Sequence, residues 1–177
     1  MKQKTHYKFL LFLLIIVGTW SCERDDICAS STPTTPHLII LFYDVDNPED
    51  PKAVRELTIR GLDEDGTELD DIPLTSPYDS ISLPLRIRTG TVTSRFELEK
   101  DSDFFDNGDP LTDSNKDIIN VTYTPEFQYV SQACGYKSIF TNLSISVEQD
   151  GNNWIRTNEI LTTTIENETQ AHVIIRH

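Results

Sequence analysis

The sequence predicts an all-β fold, a single antiparallel β-sandwich of about eight to nine strands, immunoglobulin-like in general architecture. Three observations predict it. Apolar residues recur on every second position over several short stretches, the pattern of strands with one buried face. Turn signals such as Asp65-Gly66 and Asp150-Gly151 separate those stretches. No segment carries a sustained helical stripe, and there is no internal repeat.

The elements follow in order. His37 to Tyr43 is an apolar run rich in β-formers and stopped by Asp44, Asn47 and Pro48, which predicts a central strand buried on both faces. Val54 to Arg60 alternates as a half-buried strand, and Asp65-Gly66 closes it as a tight turn. Ser80 to Arg88 places Ile81, Leu83, Leu85 and Ile87 on one face. Pro84 cannot donate to a ladder, so that strand is expected at an edge or with a bulge. Thr91 to Glu99 places Val92, Phe96 and Leu98 on one face. Lys100 to Lys116 is acidic, contains Asn107-Gly108 and reads as a long surface loop with Phe104 and Phe105 as its apolar content.

Ile119, Val121 and Tyr123 share a parity, and Pro125 separates them from a further short strand through Phe127, Tyr129 and Ser131. Ile139, Leu143, Ile145 and Val147 fall on alternate positions with Thr141 interrupting, and Asp150-Gly151 then predicts a hairpin before Trp154. A threonine-rich stretch from Ile155 to Ile165 precedes a last strand, Ala171 to Arg176.

The amino-terminal segment has a different logic. Lys2, Lys4 and Lys8 precede an apolar run from Phe9 to Val17, which is too short for a permanent membrane span, and Ser21 precedes Cys22. Residues 1–21 therefore read as an export signal cleaved before Cys22. Ser21 and Cys22 match the bacterial lipoprotein signal box and Thr19 and Trp20 depart from it. Lipidation of Cys22 is the expectation, with conventional secretion as the alternative, and the chain would be held at a membrane through that lipid anchor. Glu23-Arg24-Asp25-Asp26 resembles a short signal for surface display and reads equally as a solvated spacer. Residues 22–36, ending in the Pro-bearing stretch ASSTPTTP, are expected to form an extended tether, and residues 37–177 the sandwich domain.

Cleavage would leave 177 minus 21, or 156, residues, a size suited to one domain. It would also remove three lysines and no acids, moving the net charge from −14 to −17. Such a surface repels phosphate backbones, so no nucleic-acid partner is expected. With Cys22 lipidated, Cys28 and Cys134 remain in an oxidising compartment. A disulfide between them is the economical reading, and two separate buried thiols are the alternative.

Chemistry-bearing patterns are sparse. His37, His172 and His177 form no ligand pair and lie near no nucleophile elbow, so no catalytic residues, cofactor or metal are assigned and an enzyme is not expected. His172 reads as a surface or satisfied, partly buried strand residue. Acids crowd Asp63 to Asp71 and Asp101 to Asp109, yet aligning Gly66 or Gly108 with the sixth position of a calcium loop leaves Ile72 or Ser114 where a carboxylate is required. Solvated turns explain these acids better than calcium or a glycosidase pair. Tyr43, Tyr78, Phe104, Phe105, Tyr123, Phe127, Tyr129, Tyr136 and Trp154 are candidates for a sugar platform, but strand parity turns most of them toward the core. Asp79-Ser80-Ile81 resembles a three-residue O-glycosylation site of exported Bacteroidota proteins.

Four stretches taken together resemble a small uncharacterised lipoprotein family of the Bacteroidota. They are Cys22 to Cys28, Thr32-Pro33-Thr34-Thr35-Pro36 before a strand ending Phe42-Tyr43-Asp44, Val130 to Tyr136 with its ACGY, and Trp154-Ile155. That family's domain has no known function, so the resemblance implies lipidation and the Cys28–Cys134 bridge without an activity. The expectation is a noncatalytic, lipid-anchored accessory or binding subunit at the outer membrane, with an integral β-barrel as a candidate partner. A surface sandwich that binds glycans or another ligand is the alternative, and a carboxylate-based hydrolase ranks third.

Overall fold

A computed structural model of the chain describes residues 27–72, 79–102 and 113–177. Among the described residues nine strands run in chain order: β1 Leu38–Tyr43, β2 Thr58–Leu62, β3 Glu68–Asp71, β4 Ser80–Leu83, β5 Val92–Lys100, β6 Asn115–Ser131, β7 Gly135–Val147, β8 Thr157–Ile160 and β9 Val173–Arg176. They form two sheets, ordered β4-β1-β9-β8 and β3-β2-β5-β6-β7, so the chain is an all-β sandwich. Among the described residues no helix is long and apolar enough to cross a membrane. Of the described residues, those within 33–128 and 137–177 make one compact unit, and 27–32 group with 129–136 in a second.

The larger unit holds the core. Leu38, Ile40 and Phe42 of β1 and Val173 and Ile175 of β9 point inward from one sheet. Phe96 and Leu98 of β5, Ile119, Val121 and Tyr123 of β6 and Phe140 of β7 point inward from the other. Each such aliphatic or aromatic side chain contributes about 1.5–3 kcal/mol by leaving water. Tyr123 meets Phe140 edge to face at 5.2 Å. Its hydroxyl donates to Arg86 O at 3.0 Å and lies 2.7 Å from Ser94 Oγ, which satisfies the one polar atom it carries inward.

β1 is an interior strand of its sheet, as the apolar run requires. Its faces differ, however: Leu38, Ile40 and Phe42 are buried, while Ile39, Leu41 and Tyr43 are half-buried. β1 pairs antiparallel with β4 but parallel with β9, an exception to the antiparallel pattern found at β2–β3, β2–β5, β5–β6 and β8–β9. His172 completes the start of that parallel pair. Its backbone N–H donates to Ile39 O and its Nδ1 accepts the N–H of Ile39, both at 2.9 Å.

Prolines and turns account for several departures from the sequence reading. β4 lies at a sheet edge and stops at Leu83, before Pro84, leaving Ile87 exposed. Val54 and Leu57 are buried, but the strand they were expected to join begins only at Thr58. The Asp65-Gly66 turn is present between β2 and β3. Gly66 adopts φ +84°, and Asp63 Oδ1 accepts the N–H groups of Asp65 and Thr67. Pro125 does not divide two strands. β6 runs through it because pairing with β5 ends at Tyr123, so the strand there lacks that neighbour.

Two further corrections lie in β7 and after it. Ser138 and Phe140 are buried before Asn142, and Leu143 is buried after it, so the inward parity switches within one strand. Asn142 takes φ 56°, a left-handed conformation that asparagine tolerates, and this is a bulge that exchanges the strand's faces. The expected inward Ile139 is consequently half-buried. Asp150-Gly151 makes a turn but no hairpin, because β7 and β8 belong to different sheets. Asp117 redirects the chain: its Oδ2 accepts the N–H of Ile155 at 2.7 Å, and Trp154 enters the core with Nε1 donating to Leu98 O at 3.2 Å.

Candidate functional site

The smaller unit contains the most distinctive surface. β6 and β7 are joined through Gln132, Ala133 and Cys134, followed by Gly135 at φ +70°. A short loop ending in a left-handed residue is a common hairpin closure, and glycine takes that conformation without a Cβ clash. Ser131 Oγ accepts the N–H of Cys134 at 3.1 Å. Cys28 and Cys134 form a disulfide with Cα atoms 4.8 Å apart, closing a sequence separation of 106. The Thr32 hydroxyl lies 3.6 Å from the Cys134 sulfur.

Around this bridge Ile27, Ala29, Thr32, Ser131, Gln132, Ala133 and Cys134 line a shallow cavity of about 340 Å³. Tyr129 and Tyr136 meet edge to face at 5.4 Å and are 59% and 68% exposed. Ile27 is 82% exposed. None of the described residues of this unit, 27–32 and 129–136, carries a charge, whereas a quarter of the whole chain does. The tip can therefore offer aromatic and apolar contact without the desolvation cost of a charge.

Of the residues singled out in the sequence, Cys28 and Cys134 are brought together, and Cys22 lies outside the described residues. The aromatic residues divide. Tyr123 and Trp154 are in the core and Tyr43 is half-buried, but Phe127, Tyr129 and Tyr136 are exposed, against the inward reading. Parity reports burial only where a strand face packs on something. From Glu126 to Tyr129 every position of β6 is exposed, so alternation carries no such information there. Tyr78, Phe104 and Phe105 lie outside the described residues, as do Asp103, Asp106 and Asp109.

Several acids of the sandwich are engaged in the fold. Arg60 Nη1 donates to Glu99 Oε2 at 2.7 Å and to Glu97 Oε1 at 3.0 Å, and Lys116 Nζ donates to Glu97 Oε1 at 2.9 Å. Asp71 and Glu68 approach the same guanidinium, and Asp101 pairs with Arg55. Burial disfavours the Glu99 charge, but the Ser114 hydroxyl, Arg60 and Lys116 together hold its carboxyl below the usual range. The Glu99 hydrogen bond foremost, with Glu97, raises Arg60 above its ordinary value. Among the described residues no group of three or more His, Cys, Asp or Glu is placed to hold a metal ion. Sequence reasoning missed this cluster, although Arg60, Glu97 and Glu99 alternate with apolar neighbours and so share the outward parity of β2 and β5.

The imidazoles are likewise structural. His172 is buried and, with Nδ1 accepting from Ile39, is the neutral tautomer whose Nε2–H donates to Asn167 O at 3.0 Å. Burial lowers its pKa below the ordinary imidazole value. His177 packs against Trp154 at 5.5 Å, and burial lowers it as well. Asp117 is buried with Oδ1 unpartnered, and burial raises its carboxyl above the usual range despite the N–H groups of Ile155 and Trp154. A second cavity of about 540 Å³ lies in the sandwich unit, where Leu69, Ile72, Leu85 and Phe96 meet Arg86 and Arg95.

Residues 56–177 match the profile of a family of unknown function, DUF6452. The chain belongs to this family. The match takes in β2 to β9 of this fold and includes Cys134, while Cys28 precedes it. No curated protein and no solved structure matches the chain.

Proposed function

We propose that this DUF6452 protein is a noncatalytic lipoprotein of a Bacteroidota envelope. It is exported by residues 1–21, anchored in the outer membrane through lipid on Cys22, and serves as a binding subunit of an envelope assembly. The observation that carries this reading is cysteine use. The Cys28–Cys134 bridge accounts for two of the three cysteines and suits an oxidising compartment, leaving Cys22 at the end of a basic-then-apolar leader. The noncatalytic part draws support from the engagement of His172, Asp117, Glu97 and Glu99 in the fold's own hydrogen bonds. An integral outer-membrane β-barrel is the partner class proposed.

A glycan-binding surface protein is the second reading, favoured by the two exposed rings of Tyr129 and Tyr136 on a tip that also carries the polar residues Ser131 and Gln132. Crosslinking in whole native cells tests both, using a carboxyl-terminal tag and a Cys22→Ser control. Recovery of one outer-membrane protein with the anchored form alone is the expected result. Membrane retention of Cys22→Ser would overturn the anchor, and glycan-array binding without a protein partner would replace the subunit reading by the second one.

A further inference from the structure

We infer that the β6–β7 tip is a second membrane contact, in which Tyr129, Tyr136 and Ile27 rest in the headgroup region of the bilayer that holds the lipid. This inference rests on the lipidation of Cys22 proposed above. Three independent observations lead to it: chain length, charge and ring exposure.

Cys22 and Cys28 are six residues apart, so the intervening chain spans at most roughly 20 Å even when fully extended. Cys28 is covalently joined to Cys134 at the tip. A lipid on Cys22 therefore confines the tip close to the membrane surface, whatever path residues 23–26 take.

Charge selects what the tip meets there. A chain of net charge −14 presents, at the one place tied to the lipid, two segments with no charged residue, 27–32 and 129–136. Charged residues resume at Lys137 along β7, at Glu126 along β6, and at Asp26 directly before Ile27, where Glu23-Arg24-Asp25-Asp26 leads back to Cys22. Acidic groups at this point would be repelled by anionic headgroups and would resist dehydration. Within 27–32 and 129–136 neither cost arises, and the acids Glu23, Asp25 and Asp26 belong to the link toward Cys22.

The rings supply the attraction. Tyrosine has an apolar ring and a hydroxyl that stays hydrogen-bonded, which suits it to the water–hydrocarbon boundary. Tyr129 and Tyr136 expose more than half their surface and meet each other edge to face, with Ile27 more exposed still. The bilayer is the occupant that fits.

The test uses the full lipidated protein in phosphatidylcholine vesicles whose acyl chains are brominated near the headgroup, with Tyr129→Trp or Tyr136→Trp as reporter and the parent's Trp154 emission subtracted. Vesicle flotation is measured on the same samples. The expected result is a blue-shifted, bromine-quenched reporter in protein that floats. Floating protein with an unquenched, water-like reporter in both variants would overturn the tip contact while leaving the anchor intact. Failure to float would instead overturn the lipidation on which it rests. A Cys28→Ser, Cys134→Ser double variant carrying the reporter should float and lose quenching, because the tip is no longer confined. Photocrosslinking from position 136 in cells that captures protein or glycan, with the reporter unquenched in vesicles, would assign the tip to that partner and overturn the bilayer contact.

Discussion

In the sandwich, Tyr123 and Phe140 meet edge to face with no solvent exposure, inside the buried hydrophobic cluster. In the tip, Tyr129 and Tyr136 make a comparable ring contact but remain largely open to water, and a covalent bond does the holding. The same residue type in the same geometry thus serves cohesion in one region and presentation in the other. Neighbouring charge separates them as well: the sandwich arranges Arg60, Lys116, Glu97 and Glu99 into a mutually satisfied cluster, and the tip has no charge to satisfy.

The comparison is broken most severely in the core. Phe140→Ala removes a fully buried ring and the partner of Tyr123, and is expected to lower unfolding free energy by about 3–5 kcal/mol in denaturant titration. A loss below about 1 kcal/mol would mean the core is not organised around this pair. Next comes the bridge. Cys134→Ser, or reductant added to the parent, is expected to cost about 2–5 kcal/mol because the long closed loop is released. Superimposable melting curves with and without reductant would remove the disulfide from the account of stability.

A smaller effect concerns pH. His172 is neutral in the fold and its Nδ1 accepts from Ile39, so burial lowers its folded pKa below the unfolded value of 6.5. The unfolded chain then binds the extra proton first, and stability contributed by neutral His172 is lost as pH falls below that value. Unfolding free energy should decline between pH 7 and 5, and His172→Gln should reduce the decline, leaving the share that His177, lowered in the same way, contributes. Acid-side loss from Glu99 and Glu148, whose carboxyls lie below the usual range, begins only at lower pH, and Asp117, raised by burial, opposes it. The smallest effect sharpens the contrast: Tyr129→Ser and Tyr136→Ser should each change stability by about 0.5 kcal/mol or less, as exposed positions do. A larger loss would make the tip rings cohesive after all.

These differences also mark where sequence periodicity was informative. It located β1, β5 and the first half of β6, where one strand face packs on the core. It misread β7, because a single left-handed Asn142 exchanges the faces and alternation cannot announce a bulge. It took Asp150-Gly151 for a hairpin, since the deciding hydrogen bond comes from Asp117 more than thirty residues away. The parallel β1–β9 pair depends on a still more distant contact, between His172 and Ile39. The bridge was legible from cysteine count and compartment, whereas the open tyrosines were not, because burial there depends on what the hairpin tip lacks around it.

The most direct test of the account is mass spectrometry of the protein taken from native membranes and cleaved after lysine without reduction. The account predicts one linked species: the peptide Cys22 to Lys52, fatty-acylated at Cys22, joined through Cys28 to the peptide Asp117 to Lys137. An unmodified Cys22, a chain starting elsewhere, or two peptides that separate without reductant would contradict it.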